Sequence, residues 1–282
     1  MRLVALIVIW AVSWPAIKIG VTAMSPLWYA FWRYAIAGLC LCGVVAWRRE
    51  AVLPSRGDWP LVLVSSVFQL AAFSALTGIA LTVLPPGRAS VLAYSTPLWV
   101  VPLAAWRLRE RVSRWGAIGV GVGICGVVTI AAPSMRAAGG DQIYAYGLLV
   151  GAACAWAISI VFVRAHRFEA STLALAPWQM AVAAVLLLPL ALIFEPTPTR
   201  AAAASMLSLA YVGPVATAFA YWSVVELGRR YRAGMISMAL LCVPALGVVL
   251  SAAFIGENID AALVAGVLLI AGGIRMASRP RT

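Results

Sequence analysis

The chain has 282 residues, 64% of them hydrophobic and 11% charged, with a formal net charge of +12. Soluble domains carry roughly 45–50% apolar and about 25% charged residues, so a chain of this composition cannot cover its surface in water, and its solvent must be lipid. A charge of +12 would suggest nucleic acid in a soluble protein, but here the basic residues punctuate apolar runs rather than cluster on one element, which excludes that partner and fits membrane loops.

A spanning helix needs about 20 mostly apolar residues, and the chain divides into ten such stretches: 3–20, 27–47, 59–83, 87–106, 115–133, 144–163, 172–194, 205–227, 233–255 and 259–277. An all-α integral membrane protein of ten transmembrane helices is expected. Met1-Arg2 leads into a run holding Trp10, Trp14, Pro15 and Lys18. That run fits a signal-peptide cleavage region poorly, so a retained first helix is expected. Leu84-Pro85-Pro86-Gly87 separates the third span from the fourth. Lys and Arg crowd into alternate loops, as in Arg48, Arg49 and Arg56, then Arg107, Arg109, Arg111 and Arg114, then Arg229, Arg230 and Arg232. The opposite side carries Lys18, Arg88, Arg136 and Arg200. The positive-inside rule then places both termini in the cytoplasm and Asp141 on the outer side.

The chain repeats itself. Trp10-Ala-Val-Ser13 recurs as Trp156-Ala-Ile-Ser159 and Trp32 as Trp178 at one offset. At an offset one residue longer, Ser90 recurs as Ser237, Pro97 as Pro244, Glu110 as Glu257, Gly119 as Gly266 and Gly126 as Gly273. The halves, 1–135 and 144–280, each hold five spans, and five is odd, so the second copy enters the membrane from the opposite side. Inverted repeats are an architecture of secondary transporters, with the substrate site where the halves meet.

Three stretches carry a resemblance to a known family: Trp10 with Ala11–Pro15, the run 90–101 leading to Arg109-Glu110-Arg111 with its counterpart Pro244 leading to Gly256-Glu257, and the glycine-rich final spans 116–128 and 266–274. Each half resembles the EamA-type repeat of the ten-helix drug/metabolite transporter superfamily. The resemblance covers nearly the whole chain. It implies transport of small metabolites, often export of amino acids or related compounds.

Trp10, Ser13, Trp14 and Ile17 share one helical face. Span 6 repeats the pattern as Trp156, Ser159, Ile160 and Val163. The tryptophans lie mid-span, where interfacial belts do not form. The stripe reads as pore lining or as packing. Gln69, Phe73 and Thr77 share a face of span 3. An amide in hydrocarbon needs a partner, so Gln69 is either interhelical glue or a substrate contact. Pro97 frees the Ala93 carbonyl at a place that Pro244 matches in the other half. Arg33, two turns into span 2, reads first as snorkelling to the headgroups and second as a carboxylate-binding charge. Its repeat counterpart is the neutral Gln179. Glu110 and Glu257 each precede the last span of a half and read as caps of that helix. His166 reads as a solvated loop residue.

All nine acidic residues fall in loops or at span ends, so no carboxylate sits mid-membrane to bind sodium or relay a proton. The five cysteines lie in apolar runs without metal-ligand spacing, and no phosphate-binding glycine loop appears. No cofactor and no metal are expected, and the chain does not read as an enzyme. A membrane-embedded lipid or isoprenoid enzyme would need an acidic cluster or a mid-membrane histidine. A scaffold subunit is the other alternative. The leading expectation is an inner-membrane secondary transporter, an exporter of small metabolites such as amino acids by alternating access. The cavity is expected to be lined by spans 1, 3, 4, 6, 8 and 9. Its substrate-binding residues are Trp10, Trp14, Gln69, Phe73, Tyr94, Trp156, Ser159 and Tyr221. The partners are a small-molecule substrate and the lipid bilayer. A monomer and a homodimer both suit the sequence.

Overall fold

A computed structural model describes residues 2–50, 53–136, 140–166, 169–196, 202–230, 240 and 242–277. Among them all regular structure is helical. Helix α1 (Arg2–Ala23) turns at Ser25 into α2 (Pro26–Trp47), where Pro26 takes the first helical position and its missing N–H is not needed. The third apolar stretch begins as α3 (Trp59–Val64), passes through a π-helical segment at Ser65–Ala72, and resumes as α4 (Phe73–Val83). It ends at Leu84-Pro85, where the sequence marks a turn.

The fourth stretch is not one rod. Helix α5 (Pro86–Ala93) stops at Tyr94–Ser95, and α6 (Thr96–Leu108) starts beyond it. Pro97 cannot donate to the Ala93 carbonyl. The Thr96 hydroxyl donates to it instead at 2.8 Å, so the break leaves that carbonyl satisfied. Then follow α7 (Arg114–Arg136), α8 (Gly140–Ala165) and α9 (Thr172–Phe194). Helix α10 (Ala203–Tyr211) runs through a second π-helical segment, Val212–Phe219, into α11 (Ala220–Arg230). The chain closes with α12 (Cys242–Ile255) and α13 (Ala261–Ala277). Residues 233–239 and 241 of the ninth predicted span lie outside the described residues.

Eight stretches among the described residues are long and apolar enough to cross a membrane, from Leu3–Ala23 to Ala203–Val224, and α12 and α13 are shorter apolar helices. Leu39, Trp47, Trp106, Phe194 and Phe254 are 71–78% exposed. Large apolar side chains left this exposed suit lipid, not water. The chain is a multi-pass membrane protein.

Helices from the two ends of the chain interleave. Helix α2 lies along α9, and α7 lies along α13. The second contact is backbone on backbone. A Cβ on Gly126 would stand 2.8 Å from the Gly266 carbonyl oxygen, and one on Gly273 would stand 2.5 Å from that of Gly119. Small residues at these places let the axes approach, which is how helices gain dispersion contacts where lipid removes the hydrophobic drive.

Three carboxylates pin helix or loop N–H groups of distant segments. Glu195 accepts from the N–H of Leu27 at 3.1 Å and of Trp28 at 3.2 Å, capping α2. Asp58 accepts from Glu169 at 2.9 Å and Ala170 at 3.2 Å, just before α9. Burial alone would raise the Asp58 carboxyl, but the donors from Ala170, Ser55 and Glu169 outweigh it and hold it below its ordinary value. Glu257 accepts from Gly87 at 2.8 Å, from Arg88 at 3.1 Å and from the Ser251 hydroxyl.

Here the sequence reading needs correction. Glu257 does cap a helix, but the helix is α5 in the other half rather than the one that follows it. Glu110 pairs with Arg164 at 2.7 Å on an exposed surface. Equivalent positions in a repeat meet different neighbours, and only the fold chooses them.

Candidate functional site

The interleaving leaves a cavity of about 120 Å³ between the two halves. Helix α1 presents Trp10, Ser13, Trp14 and Ile17 to it, the whole i, i+3, i+4, i+7 stripe. The first π-helical segment and α4 bring Gln69 and Phe73. The α5–α6 break carries Tyr94, α8 carries Trp156, and the second π-helical segment with α11 carries Thr217 and Tyr221. A π-helical turn is a rare insertion and is often found at functional sites. Here one such turn holds Gln69 and the other holds Thr217. The second stands at the same offset from the first as Glu257 from Glu110.

Four rings form a connected edge-to-face group. Trp14 and Tyr94 have centroids 6.4 Å apart, Tyr94 and Trp156 6.1 Å, and Phe73 and Trp156 5.1 Å. Hydrogen bonds fix the polar members. Ser159 Oγ donates to Gln69 Oε1 at 3.1 Å, the Tyr221 hydroxyl donates to Gln179 Oε1 at 2.7 Å, and Trp10 Nε1 donates to the Ala216 carbonyl at 3.1 Å.

Of the residues expected from sequence, Trp10, Trp14, Gln69, Phe73, Tyr94, Trp156 and Tyr221 line this one cavity. Ser159 stands behind the wall, fully buried, and holds Gln69. Spans 2 and 7 also contribute, with Arg33, Tyr34 and Met180. Span 9, expected among the lining, adds no residue among those described. Arg33 does not snorkel. Its Nε donates to Thr217 Oγ1 at 2.8 Å, and its guanidinium sits 5.4 Å from the Tyr34 ring centroid. The signal for it was a lone charge inside an apolar span, and the snorkelling reading set that signal aside. His166, as expected, lies at an exposed helix end away from the cavity.

The cavity belongs to a chain whose relatives are recognisable. The sequence profile of the EamA-like transporter family matches residues 2–132 and again 143–279. The chain belongs to the EamA-like transporter family. Among its relatives, the aromatic amino acid exporter YddG of Ancylobacter novellus is 30% identical over 79% of this chain and 77% of its own. A probable terminal-alkyne amino-acid exporter of Streptantibioticus cattleyicolor is 29% identical over 96% of this chain and 90% of its own. A solved crystal structure of a protein 22% identical superposes with a TM-score of 0.66, covering 98% of this chain and 96% of that one. At that identity the superposition speaks for the fold. EamA-like membership makes the chain a membrane transporter.

Proposed function

We propose that this EamA-like protein exports small amphipathic metabolites, amino acids among them, across the inner membrane by alternating access. The observation that carries the reading is the cavity, walled by both halves of the chain and combining an aromatic group with a few fixed polar side chains. Small-molecule sites have that composition. Its volume of about 120 Å³ lies below the roughly 300–1,000 Å³ of drug-sized ligand pockets. An aromatic amino acid therefore requires the walls to part, a movement that alternating access would supply.

The architecture in this reading is ten spans in two inverted five-helix repeats, 1–135 and 144–280, with both termini cytoplasmic. The double family match, the matched π-helical segments and the reciprocal packing of Gly119 and Gly126 with Gly266 and Gly273 support it. The relatives' names, two of them amino-acid exporters, support the substrate class. The proposed substrate contacts are Trp10, Trp14, Gln69, Phe73, Tyr94, Trp156 and Tyr221, with Ser159 acting through Gln69. Uptake of a panel of labelled metabolites into proteoliposomes tests this reading. Saturable uptake of amino acids with apolar side chains supports it. Leak-level uptake of every panel member contradicts it.

A further inference from the structure

The cavity has a polarity of its own. Arg33 is the one charged residue among those that line it, and no carboxylate pairs with it among the described residues. A guanidinium has five N–H donors. Thr217 takes the Nε–H, and the other four have no protein acceptor among the described residues.

The neighbouring groups are biased the same way. Four nearby acceptor oxygens each already receive a donor: Gln69 Oε1 from Ser159, Thr217 Oγ1 from Arg33, Gln179 Oε1 from Tyr221 and the Ala216 carbonyl from Trp10. The Arg33 N–H groups and the Gln69 amide NH₂ remain as donors only, and the Tyr94 hydroxyl can donate beside them. A charge inside the membrane is expensive and is kept at functional positions.

We propose that the cavity recognises an organic carboxylate, held by the Arg33 guanidinium with Gln69 and Tyr94, whose apolar tail rests on Trp14, Phe73 and Trp156. This rests on the transport reading above and sharpens it. An ammonium group finds no carboxylate among the described lining residues and faces a repelling Arg33. The carboxylate, rather than the amino-acid zwitterion, is the recognised group. A des-amino acid is a better ligand than an amine of the same skeleton.

The test uses purified full-length protein in proteoliposomes, with labelled 3-phenylpropionate, phenylalanine, phenylalaninamide and phenethylamine. The wild type takes up the first two and not the last two. Arg33→Gln weakens the two carboxylates by about tenfold or more, the size of a charge-assisted contact, and narrows their lead over the amide. Arg33→Lys keeps the charge and recovers part of that lead. Thr217→Val removes the interhelical hydrogen bond alone. It lowers the rate but retains the preference for carboxylates. Equal uptake of all four compounds, or a carboxylate preference that Arg33→Gln leaves untouched, overturns carboxylate recognition while the transport reading stands. Uptake of none, including the wider panel, overturns both. Melting curves close to wild type show that each variant folds. If Arg33→Gln unfolds, competition by 3-phenylpropionate and by phenethylamine against phenylalanine uptake in the wild type decides the same point.

Discussion

Ser159 and Gln69 are joined by a hydrogen bond of 3.1 Å between α8 and the first π-helical segment, and they do different jobs within it. Gln69 faces the cavity, and Ser159 is fully buried behind it. The bond also crosses from the second half of the chain to the first. Ser159→Ala therefore leaves the cavity wall intact but frees the Gln69 amide to rotate. An interhelical hydrogen bond in a membrane is worth about 0.6–2 kcal/mol, so the apparent affinity for substrate falls by about three- to thirtyfold, with the maximal rate near wild type. Concentration-dependent uptake checks this. An unchanged affinity means that Gln69 is held by other contacts.

The contrast between Glu257 and Glu110 gives a second test. Glu257 has a side chain 1% exposed and contacts Arg88, two backbone N–H groups and Ser251. Removing one partner from such a group strands the others, and Glu257→Ala is expected to lower stability by about 3 kcal/mol or more. Glu110 is 42% exposed in its pair with Arg164, and Glu110→Ala is expected to lower it by less than about 1 kcal/mol. Thermal unfolding in detergent reads both.

The backbone contact between α7 and α13 makes a steric prediction. Gly126→Leu drives a side chain into the Gly266 carbonyl, and an overpacked contact costs about 1–3 kcal/mol. Gly121 lies on the same helix with nothing within 4 Å of its Cβ position. Gly121→Ala is neutral or mildly stabilising, because alanine favours the helix. Equal melting temperatures for the two variants would remove the close contact from the account.

These contrasts mark what the sequence displays and what it hides. The stripe Trp10, Ser13, Trp14, Ile17 was legible because an α-helix repeats its face every 3.6 residues, and nothing interrupts α1 before the cavity. The break at Tyr94–Ser95 was legible through Pro97. The π-helical segments were not, since one extra residue per turn shifts a face without altering composition. Arg33 was visible as an anomaly, but whether a long side chain reaches headgroups or a cavity depends on the neighbouring helix, here through Thr217. The partners of Glu257, Glu195 and Asp58 depend on tertiary placement alone.

Asp58 provides a pH test. Its carboxyl lies below the ordinary value of 3.8 in the folded protein, so its contribution is fully present above that value and is lost as pH falls through the depressed folded value. The melting temperature of the wild type exceeds that of Asp58→Asn at pH 6, and the gap closes on acidification below about pH 4. A gap that stays constant from pH 6 to pH 3 would show that ionisation of Asp58 contributes nothing.

Orientation is tested on a cysteine-free background with single cysteines at 141 and 50. A membrane-impermeant thiol reagent added to whole cells labels the first and spares the second. The reverse pattern would invert the topology and turn the direction of export around.

The central claim is that the cavity between the halves is the substrate site. The most direct measurement compares saturable uptake by Gln69→Leu, Tyr94→Phe and Trp156→Ala with that of Val122→Ala, a substitution on α7 outside the cavity, all reconstituted at equal density. The account expects the first three to lose affinity by about tenfold, as each removes a hydrogen bond or a ring contact, and the fourth to match the wild type. If the three cavity variants saturate at wild-type substrate concentrations, these residues are packing and the site lies elsewhere.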